Sequence, residues 1–447
     1  MDINQMGIPR DENEQNRENP IRNGNVLIRN AGPSTDNTDR GSLQIDVTSS
    51  IGLIPVDDAR VDIYEELPDG SRRMTESLNT DISGQTITVE LPAPPIEYSL
   101  EPSDIRPYAN YTIEITAPGY EKVVIEGTQI LPEVESIQPV KMIPQEIETE
   151  PEEDIVIPSH TLYGDYPPKI EEDEIKDIEE TGEIVLSRVV IPETIVVHDG
   201  TPDQAARNYY VPYRDYIKNV VSSEIYATWP ESTIYANTLA IMSFTLNRVY
   251  TEWYRNRGYN FTITSSTAYD QKWIYGRNIY RNIDYLVDSI FANYLSRPGV
   301  RQPIFTSYCN GTTTTCGGLS QWGSKYLGDQ GYSAIEILRY YYGSNMFINT
   351  ANQIAGIPSS WPGYNLTVGS RGSKVQQMQA QLNRIAQNYP ALPRITADGI
   401  YGPRTAEAVR TFQRIFGLPQ SGIVDYPTWY KISAIFVGVS RISEAGT

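Results

Sequence analysis

From Leu43 onward, apolar and polar residues alternate. Leu43, Ile45 and Val47 are followed by Ala59, Val61 and Ile63, by Ile87, Val89 and Leu91, by Tyr111, Ile113 and Ile115, and by Val123 and Ile125. A period of two puts every second side chain on one face, as in a half-buried strand. Turn residues at Asp69-Gly70 and Pro118-Gly119 separate the runs. Short alternating strands with regular turns predict a small β-sandwich over residues 42–145. Residues 1–41 carry Asn, Asp, Arg and Pro with few large apolar side chains, and are expected to be a mostly disordered tail. Residues 146–200 read as an acidic linker. Glu146 to Glu153 and the run Glu171-Glu172-Asp173-Glu174 are separated by Pro158, Pro167 and Pro168, so the segment is expected to be exposed and open to proteases.

Beyond residue 200 the period changes to that of a helix. Ile217, Val220, Val221 and Glu224 fall at i, i+3, i+4 and i+7 of a helix expected over Asp215 to Tyr226, so an apolar stripe ends in a carboxylate. Thr228-Trp229-Pro230-Glu231 reads as a capping box with Pro in the first turn. A long helix is expected from there to about Tyr254, and further helices over Asp284 to Tyr294 and Ala334 to Tyr342, giving a mainly helical α+β region at 201–355. Residues 364–440 hold an internal repeat: Gly399-Ile400 with Thr405, and Gly422-Ile423 with Thr428, stand 23 residues apart. Each copy follows an expected helix (Val375–Ala386, Thr405–Phe416), so the repeat reads as a Gly turn and a Thr N-cap used twice in a three-helix unit.

Charge divides the chain. Residues 1–200 hold 14 Lys+Arg against 42 Asp+Glu, a balance of −28; residues 201–447 hold 22 against 14, a balance of +8. A cationic rear half favours an anionic polymer. Its positive charges are scattered and no nucleic-acid motif accompanies them, which argues against nucleic acid. Tyr is abundant at 32 residues against 8 Phe, a composition suited to gripping a polar glycan and equally to half-buried packing. No apolar run is long enough to predict a membrane span, and the polar N-terminus carries no signal-peptide pattern.

Glu224 is the candidate for chemistry. A carboxyl half-wrapped in apolar side chains is held toward its protonated form, as cleavage of a glycosidic bond requires. The same position also suits a structural Glu that turns outward or pairs with an Arg. Cys309 and Cys316 are the only cysteines, and His160 and His198 the only histidines. Two histidines upstream are too few for a zinc amidase or for a four-ligand Cys/His site, so no metal is expected. The cysteines read as a small-loop disulfide or as two free thiols.

Several phrases carry resemblances. Pro55-Val56-Asp57-Asp58-Ala59-Arg60-Val61 resembles prealbumin-like, carboxypeptidase-regulatory sandwiches. Leu382, Asp398-Gly399-x-Tyr401-Gly402, Thr405, Ala408-Val409, Phe412-Gln413, Gly417-Leu418, Gly422 and Thr428-Trp429 resemble the peptidoglycan-binding domain of cell-wall hydrolases. That resemblance implies that Asp398, Gly399, Tyr401 and Gly402 line a shallow groove for the muramyl stem. The middle region is similar to the stage II sporulation protein D and amidase-enhancer family. It shares Tyr216-Ile217-Lys218-x-Val220-Val221-x-Ser223-Glu224, Trp229-Pro230, Thr267-x-x-Asp270-Gln271-x-x-x-Tyr275-Gly276, Ser307-Tyr308, Leu319-Ser320-Gln321-Trp322-Gly323 and Ile335-x-Ile337-Leu338-x-Tyr340-Tyr341-Tyr342-Gly343.

The expected fold class is therefore multidomain: an N-terminal prealbumin-like β-sandwich, a central mainly helical α+β domain of the sporulation type, and a small C-terminal three-helix peptidoglycan-binding domain. This order resembles the clostridial germination-specific spore-cortex-lytic enzymes. The resemblance implies a zymogen whose front portion is removed by a subtilisin-like germination protease, with a cut expected between Glu150 and Ile157. It implies a lytic transglycosylase acting on the glycan strands of spore-cortex peptidoglycan with Glu224 as the acid, and no cofactor. Gln271, Tyr308, Ser320 and Gln321 are the candidates for holding the sugar. The expected location is the cortex or coat layer of a spore, with synthesis in the mother cell. Two alternatives stay open: a non-enzymatic wall-binding or amidase-enhancing protein, and a phage-tail-type wall hydrolase.

Overall fold

The computed structural model describes residues 39–67, 69–146, 154–164, 167–176 and 188–445, and all of them fall in one compact unit. Most of the expected tail, and the stretch 147–153 that holds the start of the expected cut region, lie outside the described residues.

The β-rich region holds strands β1 (Asp39–Ser49), β2 (Arg60–Glu66), β3 (Arg72–Asn79), β4 (Val89–Ala93), β5 (Ala109–Thr116), β6 (Val123–Ile130) and β7 (Glu135–Met142); the five period-two runs fall on β1, β2, β4, β5 and β6, and β3 and β7 lie outside them. Their inward residues, Leu43, Ile45, Val47, Val61, Ile63, Ile113 and Ile115 among them, make one apolar core between two sheets. Ile87 departs from the expected pattern: it precedes β4 and is exposed. Both sheets are completed by strands from later in the chain. β8 (Ile155–Val156) pairs with β6 on the edge of the five-stranded sheet. A strand at Ile279–Tyr280 pairs with β7 on the edge of the four-stranded sheet, in the order β4-β1-β7 and then this strand. Covering edges this way ties the β-rich region to the acidic segment and to the helical region.

The central region is built on α1 (Tyr213–Glu224), α2 (Glu231–Tyr250), α3 (Arg281–Ile290), α4 (Gln321–Asp329) and α5 (Ala334–Tyr342). Helix α2 is nearly all buried, with Leu239, Ile241, Phe244 and Leu246 inside. The expected capping box at its start does not form. Pro230 precedes the helix without a side-chain cap, and the Thr228 hydroxyl donates instead to Ser99 Oγ at 2.7 Å. Tertiary contact has won over the local motif, because Trp229 Nε1 also donates to the Ser99 carbonyl, at 2.8 Å. Helix α3 ends earlier than expected, and Asn293–Ser296 form a strand instead.

The C-terminal unit comprises α6 (Ser373–Asn388), α7 (Pro403–Ile415) and α8 (Tyr426–Ala445). The two Thr residues of the repeat are not N-caps, since α7 starts at Pro403 with Gly402 before it, and α8 starts at Tyr426, where Asp425 Oδ1 accepts from Thr428 N at 3.0 Å. Instead Gln379 Nε2 donates to Thr405 Oγ1 (3.1 Å) and to the Ile400 carbonyl (3.0 Å), while its Oε1 accepts from Gly399 N (2.9 Å). Gln413 repeats this clamp on Thr428, Ile423 and Gly422 at 3.2, 2.9 and 2.9 Å.

Of the acidic segment after the sandwich, residues 154–164, 167–176 and 188–200 are described, and parts of them pack against the fold rather than stand free. Ile157, Leu162 and Lys176 are buried. Glu172 forms a two-pronged pair with Arg248, at 2.6 and 2.7 Å, and Glu174 does the same with Arg297, at 2.5 and 2.6 Å. Charge runs read as solvated when each acid is taken alone; here Glu172 and Glu174 meet arginines from distant elements, while Glu171 and Asp173 stay exposed.

Candidate active site around Glu224

Glu224 is the last residue of α1, and its stripe partners Ile217, Val220 and Val221 are fully buried. The helix is fixed at its other face by ion pairs. Lys218 meets Asp284 at 2.7 Å and Asp288 at 3.0 Å, and Arg214 (3.1 Å) and Lys431 (2.9 Å) also reach Asp288. Burial opposes ionisation of Asp288, yet Lys218, Lys431 and Arg214 hold its carboxyl far below the usual range. The cluster joins α1, α3 and α8, so the C-terminal unit helps set where Glu224 sits.

The carboxylate is 7% exposed, and its oxygens meet donors rather than an apolar wall. Oε1 accepts from the Lys272 backbone N–H (2.8 Å) and the Tyr308 hydroxyl (3.2 Å), and Oε2 accepts from Gln321 Nε2 (3.0 Å). Gln321 Nε2 also reaches the Glu224 carbonyl, at 2.9 Å. Burial raises the Tyr308 hydroxyl well above its ordinary range, with Glu224 acting in the same sense, so it stays a neutral donor. Lys169 lies over the Tyr308 ring at 4.3 Å and donates to the Asp270 carbonyl. Burial lowers its amine while Glu224 and Asp270 oppose that shift. Burial lowers Lys272 in the same way, again against Glu224.

Two of the expected sugar-holding residues thus touch Glu224, namely Tyr308 and Gln321. The other two do not. Gln271 is fully buried; it accepts from Tyr216 (3.0 Å) and Thr245 (2.8 Å) and donates to the Ile241 carbonyl (3.1 Å), bracing the core behind the site. Ser320 is the N-cap of α4, accepting from Gly323 N at 2.9 Å, and it thereby orients Gln321. Cys309 and Cys316 form a disulfide that closes the loop beside the site. The cavity at Glu224 is lined by Leu162, Pro167, Lys169, Thr267, Tyr308 and Asn310 and has a volume of about 20 Å³. Lys169, Leu162 and Pro167 escaped sequence reasoning because they belong to the segment read as linker.

In the C-terminal unit, Asp398 accepts from Ile400 N (2.9 Å) and Gln379 (3.2 Å), which keeps its carboxyl below the ordinary range. Gly399 takes a left-handed φ of 76° that only glycine adopts readily, and Gly402 closes the turn before α7. Tyr401 turns inward, 1% exposed, and donates to the Gly422 carbonyl at 2.8 Å, so it links the two copies of the repeat.

Comparison with known proteins agrees with this division. Residues 203–288 match the family described as stage II sporulation protein, and residues 371–432 match the family described as putative peptidoglycan binding domain. The first match contains Glu224, Gln271 and Lys272 and ends before Tyr308 and Gln321. The chain thus carries domains that tie it to the cell wall and to sporulation. No curated protein matches. Among solved structures, a minor pilin of Streptococcus agalactiae is 14% identical over 26% of this chain, with a TM-score of 0.18; the chain spans 49% of the pilin's length. Transthyretin from Sparus aurata is 13% identical over 23% of this chain and 89% of its own, with a TM-score of 0.16. A 3-chlorocatechol 1,2-dioxygenase from Rhodococcus opacus is 14% identical over 25% of this chain and 62% of its own, also at 0.16.

Proposed function

We propose that the chain is the zymogen of a lytic transglycosylase that cleaves spore-cortex peptidoglycan between N-acetylmuramic acid and N-acetylglucosamine. The observation that carries this reading is the setting of Glu224: one buried carboxyl at a helix end, oriented by Lys272 N, Tyr308 and Gln321, inside the sporulation-family segment and beside a peptidoglycan-binding unit. Protonated Glu224 gives its proton to the glycosidic oxygen as the bond to muramic C1 breaks. The muramic C6 hydroxyl attacks C1 and its proton passes to the same carboxylate. The product has a 1,6-anhydro end and Glu224 is reset. One carboxyl serves as acid and then base, so the paired carboxylates of hydrolases are not needed. The neighbouring acid Asp270 supports this economy, because Arg248 (2.7 Å), Tyr254 (2.7 Å) and Thr264 (2.8 and 2.7 Å) already occupy it.

The acidic front half masks the cationic half until a protease cuts between them, and a subtilisin-like germination protease fits the expected cut. A prealbumin-like sandwich as pro-region and a cortex or coat location complete the reading. A second reading has a specific support. Glu224 also staples α1 to residues 272, 308 and 321, as a purely structural carboxylate in an amidase enhancer would.

Mass spectrometry of fragments released from purified cortex separates the two. A chain cut between residues 146 and 155 is expected to yield anhydromuramic ends, and Glu224→Gln none. Binding without fragments from the cut chain means the enhancer reading; reducing ends mean a hydrolase with a second carboxylate. Equal digestion by cut and uncut chains refutes the masking.

A further inference from the structure

The site around Glu224 is narrow. Its cavity of about 20 Å³ has room for little more than one water, whereas ligand pockets span roughly 300–1,000 Å³. None of the residues lining it comes from the β-sandwich, so the sandwich does not itself fill the site. From the stretch after the sandwich come Leu162, Pro167 and Lys169 of its wall. Leu162 lies buried in the cavity wall, its N–H bonded to Tyr226 Oη (2.9 Å) and its carbonyl to Trp322 Nε1 (3.2 Å).

We propose that residues 155–164 form a lid which the β-sandwich clamps shut over Glu224, so that the sandwich inhibits the site at a distance. The regulation rests on the catalytic role proposed for Glu224; the closure itself does not. The lid is gripped from two sides. On the sandwich side, β8 pairs with β6, Ile157 N donates to the Glu126 carbonyl (2.8 Å), and Asn110 donates to Ser159 Oγ (2.9 Å). The Tyr108 hydroxyl accepts from His160 N (2.7 Å) and donates to the His160 carbonyl (2.6 Å). Gly127 and Gly276 leave the space this needs: a Cβ on the first would stand 2.3 Å from the Ile157 carbonyl oxygen, and on the second 2.3 Å from Ile155 Cγ2. On the central side, His160 Nε2 donates to the Ser223 carbonyl at 3.0 Å, one residue before Glu224.

Further along, residues 169–176 are held differently. Ile170 N bonds to the Ala268 carbonyl (3.0 Å), Glu172 to Arg248, Glu174 to Arg297, and Lys176 to Gln302 (2.7 and 3.0 Å). All these partners belong to the central region. Loss of the sandwich therefore leaves Lys169 and its neighbours in place but strips the lid of half its anchors. A cut upstream of residue 155 acts through the lid rather than by removing a plug.

The test uses the full chain with a specific protease site placed in 147–153, and the same chain carrying Asn110→Cys and Ser159→Cys to cross-link lid and sandwich. Glu224 is labelled with a water-soluble carbodiimide and an amine and mapped by mass spectrometry, alongside hydrogen exchange at Leu162 and glycan release. The cut chain is expected to label at least tenfold more than the uncut chain. The oxidised cross-linked chain, cut, is expected to label like the uncut one until reduced, with cut, reduced chain lacking the added cysteines as reference. Tyr108→Phe gives a second handle, since it is expected to raise labelling and Leu162 exchange severalfold without any cut. Equal labelling of cut and uncut chains, or free labelling of the cut cross-linked chain, overturns the lid. Labelling that follows the lid without glycan cleavage in any form keeps the lid and removes the transglycosylase reading.

Discussion

The C-terminal unit and the Glu224 site solve the same problem, holding polar groups in fixed places, in opposite ways. In the C-terminal unit each turn is held by one glutamine from a nearby helix, Gln379 for Gly399–Thr405 and Gln413 for Gly422–Thr428. The bonds of these two clamps span 9 to 26 residues, although the unit is also tied to the rest of the molecule, as by Lys431 on Asp288. At the Glu224 site the donors come from residues 272, 308 and 321, the cover from 162 to 169, and the clamp on that cover from residues 108 to 126. Local wiring fixes each turn from within its own unit. Long-range wiring makes a site whose state depends on what is docked beside it.

The sharpest way to separate the two regions is to remove the carboxyl. Glu224→Gln is expected to lower glycan cleavage by the cut chain by about 10²–10⁴-fold, the usual worth of a general acid, while wall binding through the C-terminal unit is unchanged. Fragment release and a wall pull-down, run together, check it. Arg248→Ala comes next. It leaves Asp270 and Glu172 without their shared cation in a buried setting, and is expected to cost about 3–5 kcal/mol. Urea unfolding should show the loss in the central region, with the C-terminal transition spared.

Within the C-terminal unit, Gln413→Ala is expected to cost about 1–3 kcal/mol, since it leaves Gly422 N without its partner and the Ile423 carbonyl with only the long bond from Ser421 Oγ. Weaker wall binding with unaltered labelling of Glu224 would sharpen the contrast; a change at Glu224 would break it. Reducing the Cys309–Cys316 bond opens only a short loop and is expected to cost less than about 3 kcal/mol. Because Cys309 lines the cavity, reduction should speed hydrogen exchange in residues 308–316.

The smallest effect is that of pH on the lid. Burial, with Lys272 and Arg277 close by, holds His160 well below the usual histidine range. A detached, solvated His160 takes a proton near its ordinary value of about 6.5, whereas the clamped one resists. Lid closure is therefore fully stable above that value and weakens as pH falls below it. Leu162 exchange, corrected for intrinsic rate, should rise between pH 7 and 5 in the uncut chain, and a His160→Gln variant should lose that dependence.

Much of the fold was legible in periodicity. The alternation from Leu43 to Ile125 marked β1, β2, β4, β5 and β6 but not β3 or β7, and the stripe Ile217–Glu224 marked the helix that carries the candidate acid. The Gly-Ile-Thr repeat marked the C-terminal unit. Among site residues, Tyr308 and Gln321 do lie against Glu224, while Gln271 and Ser320 proved to brace and cap. A side chain's type tells which bonds it can make but not which way it faces.

What the sequence alone determined were the elements whose causes are local: period, glycine turns, and an acid closing an apolar stripe. What only the tertiary structure decided was who meets whom. Glu172 and Glu174 look like solvated linker until Arg248 and Arg297 arrive from 76 and 123 residues away. The phrase Thr228–Glu231 looks like a helix cap until Ser99 takes its hydroxyl. The lid exists only because β6 and Tyr108 lie against it. Burial turns weak local preferences into firm long-range ones, since a polar group removed from water must find a partner wherever the fold has placed one.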